Sequence, residues 1–304
     1  MMAYIFLLIN ATAQTFMSLL RKEFDKRNRK SILSSVLFAG VVYAIIFAAC
    51  MLMFLVSGSF GAFSDIDLFI VLDGAGYAFV SVVTTILCIV AASYGSVSLI
   101  VIFARLGNLV IAFVFGLAVD GNSANLFKWL GLAVAFLIIL INFTVTDRSD
   151  ASCTPKGRRI YALFCLAVFF TNGSSIVFYR MFTKYRPNFP ALHFVSVYAA
   201  LAVLIAMIAV ILIRVFKKKA EQSVSFDARS KLIILVYAGI LFSGEFVSLL
   251  NTAILPIIIQ APVSFALPII FITVCERAVY KTPITRPLLV KLALAMICCV
   301  LFVI

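Results

Sequence analysis

Arg105 lies near the middle of Ser98–Val119, a run that is otherwise apolar or small except for Asn108. The run is long enough to cross a bilayer core as a helix. A guanidinium at mid-membrane costs about 2.5–3.5 kcal/mol on insertion scales. Arg105 must therefore face a partner, a wet cavity or a ligand, and Asn108, one turn on, shares its face. In a dry cavity the planar fork of arginine suits a carboxylate or a phosphate, held through two parallel hydrogen bonds. A structural ion pair, or capping by backbone carbonyls, would bury it equally well. Glu245, in SGEFVSLLN, sits about as deep in a second apolar run. It has three candidate roles: binding a substrate ammonium, carrying a coupling proton, or neutralising Arg105. An Arg105–Glu245 pair that opens around a zwitterion would combine the first and the last.

Asn10 and Gln14 are spaced i, i+4, and Asn172, Ser175 and Tyr179 i, i+3, i+7, so each set shares one helical face. Facing a common cavity, both sets would hydrogen-bond a polar ligand. Facing neighbouring helices, they would act as interhelical glue, worth about 0.6 kcal/mol on average in membranes. Gln260 and Ser264 share a face beside Pro262 and Pro268. Proline removes a backbone donor and frees a carbonyl, which membrane helices tolerate where neighbours or water satisfy it. Such interruptions mark binding or gating regions, or a packed kink. Thr84, Thr85 and Tyr94 on the third apolar segment read as packing. The single histidine, His193, reads as an interfacial residue at the start of the seventh segment, and Glu276, beside Arg277, as structural.

No Walker loop, HExxH, nucleophile elbow or Cys/His metal cluster occurs in the sequence. Neither an enzyme nor a cofactor or metal is expected. The seven cysteines are odd in number, lie mostly in apolar runs and form no CxxC pair. They read as small buried hydrophobes.

The elements that must position these residues follow from composition. The 304 residues are 64% hydrophobic and 12% charged, against roughly 45–50% apolar and about 25% charged in soluble domains. This is the signature of an all-α polytopic membrane protein. The net charge of +13 does not imply nucleic acid, because the basic residues fall in short blocks between apolar runs. Ten such runs can be counted, at about 2–20, 32–56, 68–93, 97–119, 126–145, 159–180, 191–213, 232–253, 256–276 and 287–304. Each is continuously apolar, as helices are, and does not alternate as barrel strands do. The first lacks a basic leader and a small-residue cleavage site, so it reads as a retained span. Arg21, Lys22, Lys26, Arg27, Arg29 and Lys30 fall in the first connection, and the other odd-numbered connections are basic too. The positive-inside rule then makes those loops cytoplasmic and places both termini outside a cell membrane, plasma or inner.

The connection 146–159 divides the segments five and five, giving halves 1–146 and 147–304 that are weakly alike. INATAQTFMSLLRK echoes FTNGSSIVFYRMFTK, aligning Asn10 with Asn172. Tyr77-Ala78 corresponds to Tyr237-Ala238, and Val119-Asp120 to Cys275-Glu276. Five is odd, so the two repeats must insert in opposite orientations, a recurring transporter design with its site at mid-membrane.

This organisation resembles the EamA-type branch of the drug/metabolite transporter superfamily. The closest stretch is Ala261–Arg286, APVSFALPIIFITVCERAVYKTPITR, similar to that family's proline-containing ninth helix with its glutamate and short polar turn. Ala91–Gly131 is similar in the first half, with Asp120 where glutamate is usual and Ala112 where a proline would match Pro268. The resemblance implies a helical basket whose central cavity is lined by helices one, three, four, six, eight and nine. It also implies alternating access, and many members place both termini in the cytoplasm, the reverse of what the charges suggest here. Members carry amino acids and other metabolites, drugs, nucleotide sugars or phosphorylated sugars. The expectation is a secondary transporter, an exporter of a small anionic or zwitterionic metabolite such as an amino acid, drawing on a substrate or proton gradient. Its partners would be that small-molecule substrate, a coupling proton and the lipid bilayer, with no nucleic acid. A fused repeat completes its own symmetry, so a monomer is expected. The alternatives are a lipid-phosphate flippase, whose cavity would open laterally to lipid, and a non-transporting membrane scaffold.

Overall fold

The computed structural model describes residues 2–28, 31–119, 125–144, 155–216, 226–254, 257–281 and 286–304, with side chains set aside at 248–266 and at scattered positions elsewhere. Within them the chain forms ten α-helices: α1 (Met2–Arg27), α2 (Ile32–Ser57), α3 (Leu68–Ala92), α4 (Val97–Val119), α5 (Leu126–Thr144), α6 (Pro155–Tyr185), α7 (Ala191–Phe216), α8 (Ala228–Ile254), α9 (Ile257–Tyr280) and α10 (Arg286–Val303). Six of these, α2, α3, α4, α6, α7 and α8, are long and apolar enough to cross a membrane within the described residues. The protein is a helical membrane protein. Large apolar side chains such as Leu55, Val56, Leu68, Leu140, Ile211 and Val300 are exposed along the outer helix faces, where lipid takes the place of a core.

Local signals set several helix ends. Ser31 accepts a hydrogen bond from the Ser34 amide (3.3 Å) and Asp67 from the Ile70 amide (2.9 Å), each satisfying a donor that a helix start leaves free. Gly58 ends α2 in the left-handed region, at φ 66, a conformation open to glycine without a steric penalty. Elsewhere the helices outrun the apolar segments. α1 continues to Arg27, α8 begins at Ala228, and α6 extends beyond the apolar run at both ends. Apolarity measures the membrane-crossing length only, whereas lysine, arginine and glutamate continue a helix readily once it has started. Conversely α3 stops at Ala92, so Tyr94 lies in the connection to α4 and not on the third helix; its ring meets Phe164.

Packing divides the apolar interior into two clusters. One joins Phe24, Phe38, Ile46, Phe54, Tyr77, Phe194, Tyr198 and Tyr237 between α1, α2, α3, α7 and α8. The other joins Ile102, Phe103, Leu106, Ile138, Val168, Ile269 and Cys298 between α4, α5, α6, α9 and α10. The tightest approach is that of α4 to α6. A methyl group added at Gly107 would lie 2.0 Å from the Phe169 carbonyl oxygen, and one at Gly173 2.5 Å from the Gly107 carbonyl oxygen. Small residues let membrane helices approach to backbone contact, where van der Waals packing supplies the adhesion.

The two ends of the bundle are fastened differently. At the basic end, Lys22 of α1 reaches Glu276 of α9 (2.6 Å), and the Tyr161 hydroxyl of α6 donates to the Ser96 carbonyl (2.6 Å). At the far end, Arg186 after α6 pairs with Asp67 at the start of α3, and Asn125 donates to the Ile304 carbonyl (2.9 Å).

Candidate functional site

α3 carries a buried stripe through the bundle. Asp73, Tyr77, Thr84 and Cys88 fall on one helical face, with relative exposures of 5%, 7%, 6% and 5%. Toward the far end, the Tyr77 hydroxyl donates to Glu245 of α8, at 3.2 Å from Oε1 and 3.1 Å from Oε2. Tyr77 lies 5.7 Å from the Tyr179 ring of α6 and 4.7 Å from the Tyr198 ring of α7, centroid to centroid. The Tyr179 hydroxyl and Asp73 Oδ2 are buried without a hydrogen-bond partner. A carboxylate among tyrosine rings offers a cation both a counter-charge and aromatic faces.

Toward the basic end the charge reverses. Arg21 of α1 donates to the Tyr237 hydroxyl of α8, with its guanidinium 5.3 Å from the Tyr237 ring centroid. Its Nε is buried without a partner. Arg21 lies within electrostatic reach of both Cys88 and Arg105. Among the described residues no carboxylate ion-pairs with Arg105 or with Arg21.

The expected residues sort accordingly. Arg105 and Glu245 are both partly buried in the interior but do not pair: Glu245 is held by Tyr77. Depth explains this. Arg105 stands about 12 Å along α4 from Val97, whereas Glu245 stands about 25 Å along α8 from Ala228 at the same end of the bundle. Asn108 and Asn172 do meet. The Asn172 amide donates to Asn108 Oδ1 and to the Ala104 carbonyl, both at 2.9 Å, which ties α6 to α4 beside Arg105. Asn10 and Gln14 contact each other on α1 (3.5 Å). Ser175 donates to the Asn172 carbonyl of its own helix (2.6 Å), the local back-bonding common for a hydroxyl within a helix. Gln260, Pro262 and Ser264 lie on α9, but their side chains fall outside the described residues. α9 runs unbroken through Pro262 and Pro268, and Pro268 is buried beside Ile269.

Residues expected to be structural are well fastened. Glu276, 1% exposed, is held from α1 and the start of α4: it accepts from Lys22, from the amides of Val97 (3.1 Å) and Ser98 (2.9 Å), and from the hydroxyls of Ser96 (2.9 Å) and Ser98 (2.6 Å). It caps the start of α4 from another helix, where free amides and the helix dipole favour an anion. His193 opens α7 as expected but is buried, packed on Phe54 and Phe63. Its Nε2 is 2.8 Å from the Ser59 carbonyl and must donate to it. Thr84 and Thr85 are buried, as are Cys50, Cys88, Cys165 and Cys298. Cys153 and Asp120 lie outside the described residues.

Two residues of this interior are missing from a reading of the sequence alone. Asp73 sits at i−4 from Tyr77, a spacing that puts it on the same face. Arg21 sits at i+7 from Gln14, but in a basic block that resembles a loop.

No family model matches the chain, and no curated protein matches it. In fold it is similar to a solved structure described as "Crystal structure of protein", with a TM-score of 0.61 at 15% sequence identity, over 97% of this chain and 95% of that one. The likeness extends end to end and concerns the fold alone.

Proposed function

We propose that this protein is a secondary transporter of a small anionic or zwitterionic metabolite, working by alternating access in the manner of the drug/metabolite transporters that its sequence resembles. Its ten helices then span the membrane as two inverted repeats, α1–α5 and α6–α10. The packing supports this pairing. Exchanging each helix for the one five places on turns α4–α6 into α9–α1, α3–α6 into α8–α1 and α3–α7 into α8–α2, and all of these pairs pack. α2–α7, α4–α9 and α5–α10 map onto themselves and also pack.

The single observation that carries the reading is that two opposite charges inside the bundle do not neutralise each other. Among the described residues Glu245 accepts from the Tyr77 hydroxyl, and Arg105 meets no carboxylate. A buried charge without a counter-charge is costly enough that bound ligand, water or a proton must complete it. The anion of a substrate would go to Arg105, while Glu245, deeper along the bundle, would take a coupling proton or the cationic end of a substrate long enough to reach it.

The test is a thermal-shift screen of the purified protein against amino acids, organic acids, sugar phosphates and organic cations, beside Arg105→Ala. A ligand that binds the folded state raises Tm by mass action. The expected result is stabilisation by an anionic or zwitterionic compound that disappears in the variant. Stabilisation of both proteins alike by cations would overturn the substrate class.

A further inference from the structure

Arg21 and Arg105 lie within electrostatic reach of one another, and among the described residues no carboxylate ion-pairs with either. Arg21 stands about 9 Å in from the end of α1 and Arg105 about 12 Å in from the start of α4, and these two helices touch. Of the interior acids, Glu276 is engaged by Lys22 and the α4 amides, Glu245 by Tyr77, and Asp25, buried one turn beyond Arg21 on α1, has a partner of its own. Two like charges that face each other inside a bundle repel, and each also loses hydration, so their proximity makes sense around a bound anion.

We propose that Arg21 and Arg105 together form a site for a doubly charged tetrahedral oxyanion, the phosphate or phosphonate head of a small soluble molecule. The inference rests on the transporter reading and deepens it, since it names the group that the substrate presents to the basic end. Charge matching is the first reason: a monocarboxylate leaves one guanidinium uncompensated, whereas a dianion matches both. Geometry is the second, because each guanidinium offers a fork of parallel N–H groups, and three phosphoryl oxygens can serve two forks where one carboxylate serves one. Unused donors are the third. Arg21 Nε is buried without a partner, and so is the hydroxyl of Thr84, one turn from the Cys88 that Arg21 influences. Tyr237 holds the Arg21 guanidinium in place through its hydroxyl and its ring face, so the fork is oriented before an anion arrives.

The experiment compares inorganic phosphate, methylphosphonate, acetate and glycine as ligands of the purified full chain by titration calorimetry and thermal shift, with ionic strength held constant by chloride. Vesicles containing phosphatidic acid form a separate arm. Phosphate and methylphosphonate are expected to bind at least tenfold more tightly than acetate or glycine, and Arg21→Gln or Arg105→Gln each to weaken phosphate at least tenfold. Arg21→Lys and Arg105→Lys, which keep the charge but lose the fork, serve if the glutamine variants do not fold, with an intermediate loss expected. Preference for phosphatidic acid over soluble phosphate would overturn the assignment to a soluble molecule in favour of a lipid headgroup. Acetate or glycine binding as tightly as phosphate, or phosphate binding indifferent to Arg21, would overturn the two-arginine site while leaving the transporter reading intact. If none of the four small ligands binds, the two-arginine site falls; the transporter reading falls separately, if the wider metabolite screen is also silent.

Discussion

Tyr77 and Tyr237 stand in matching Tyr-Ala pairs on α3 and α8, and both are buried, at 7% and 0% exposure. Yet Tyr77 donates to a carboxylate on α8, while Tyr237 accepts from a guanidinium on α1. A phenol can do either, so the opposing helix decides which. The far half of the interior thereby gathers negative charge and aromatic faces, and the basic half gathers two arginines. The difference teaches that two similar stretches of sequence can build surroundings of opposite sign when one residue across the gap differs. α3 joins the two halves, since its buried stripe passes Asp73 and Tyr77 in one and Cys88 in the other.

The sharpest way to break the contrast is to remove the anchor of the basic half. Glu276→Gln leaves Lys22, whose side chain is 13% exposed, without a counter-charge. Breaking a buried pair in this way costs about 3–5 kcal/mol, so Tm should fall steeply. Lys22→Met should cost clearly less, because the Val97 and Ser98 amides and the serine hydroxyls still hold the carboxylate. Equal losses in the two variants would show that the ion pair, and not the helix cap, dominates.

Gly107→Ala tests the crossing that holds Arg105 beside α6. Overpacking typically costs about 1–3 kcal/mol, and the obstacle here is a backbone carbonyl that has little room to move, so a loss at the upper part of that range is expected. A variant with unchanged Tm would mean that α4 and α6 separate without penalty.

Tyr77→Phe addresses the far half. Glu245 loses its donor, and an unsatisfied buried polar group costs about 1–3 kcal/mol. Paired with Glu245→Gln, the loss should shrink, since the amide carries no charge to be satisfied. A double-mutant cycle read by Tm measures the coupling.

The smallest effect is expected at the surface. Arg186 beside Asp67, together with the Ile70 amide, holds the Asp67 carboxyl below its ordinary range. The Ser230 hydroxyl and amide do the same for Asp227. Both groups therefore contribute stability above about pH 4, the ordinary carboxylate range, and lose it as pH falls through the lowered folded value. Tm measured from neutral pH into acid should show a slight extra decline in the wild type that Asp67→Asn removes. Exposure and salt screening keep the effect small.

Much of this was legible before any fold was known. Continuous apolar runs bounded by charges located ten helices, with the ends of α1 and α6 misjudged by up to seven residues, because a bilayer demands internally hydrogen-bonded segments of a set length. The cost of burying charge singled out Arg105 and Glu245, and helical spacing put Asn172 on an inward face, where it ties α6 to α4 at Asn108. What the chain could not disclose one segment at a time was pairing. Arg21 lies in a block of basic residues that a hydropathy reading assigns to a loop, and only the continuation of α1 to Arg27 and the presence of Tyr237 across the gap turn it inward. Asp73 hides in an apolar run with a permissible spacing, and its isolation becomes visible only when its surroundings are known. Local chemistry determined which residues must leave the lipid. Whether Glu245 would face an arginine or a tyrosine was decided by helix register and depth, which follow from how all the helices pack together.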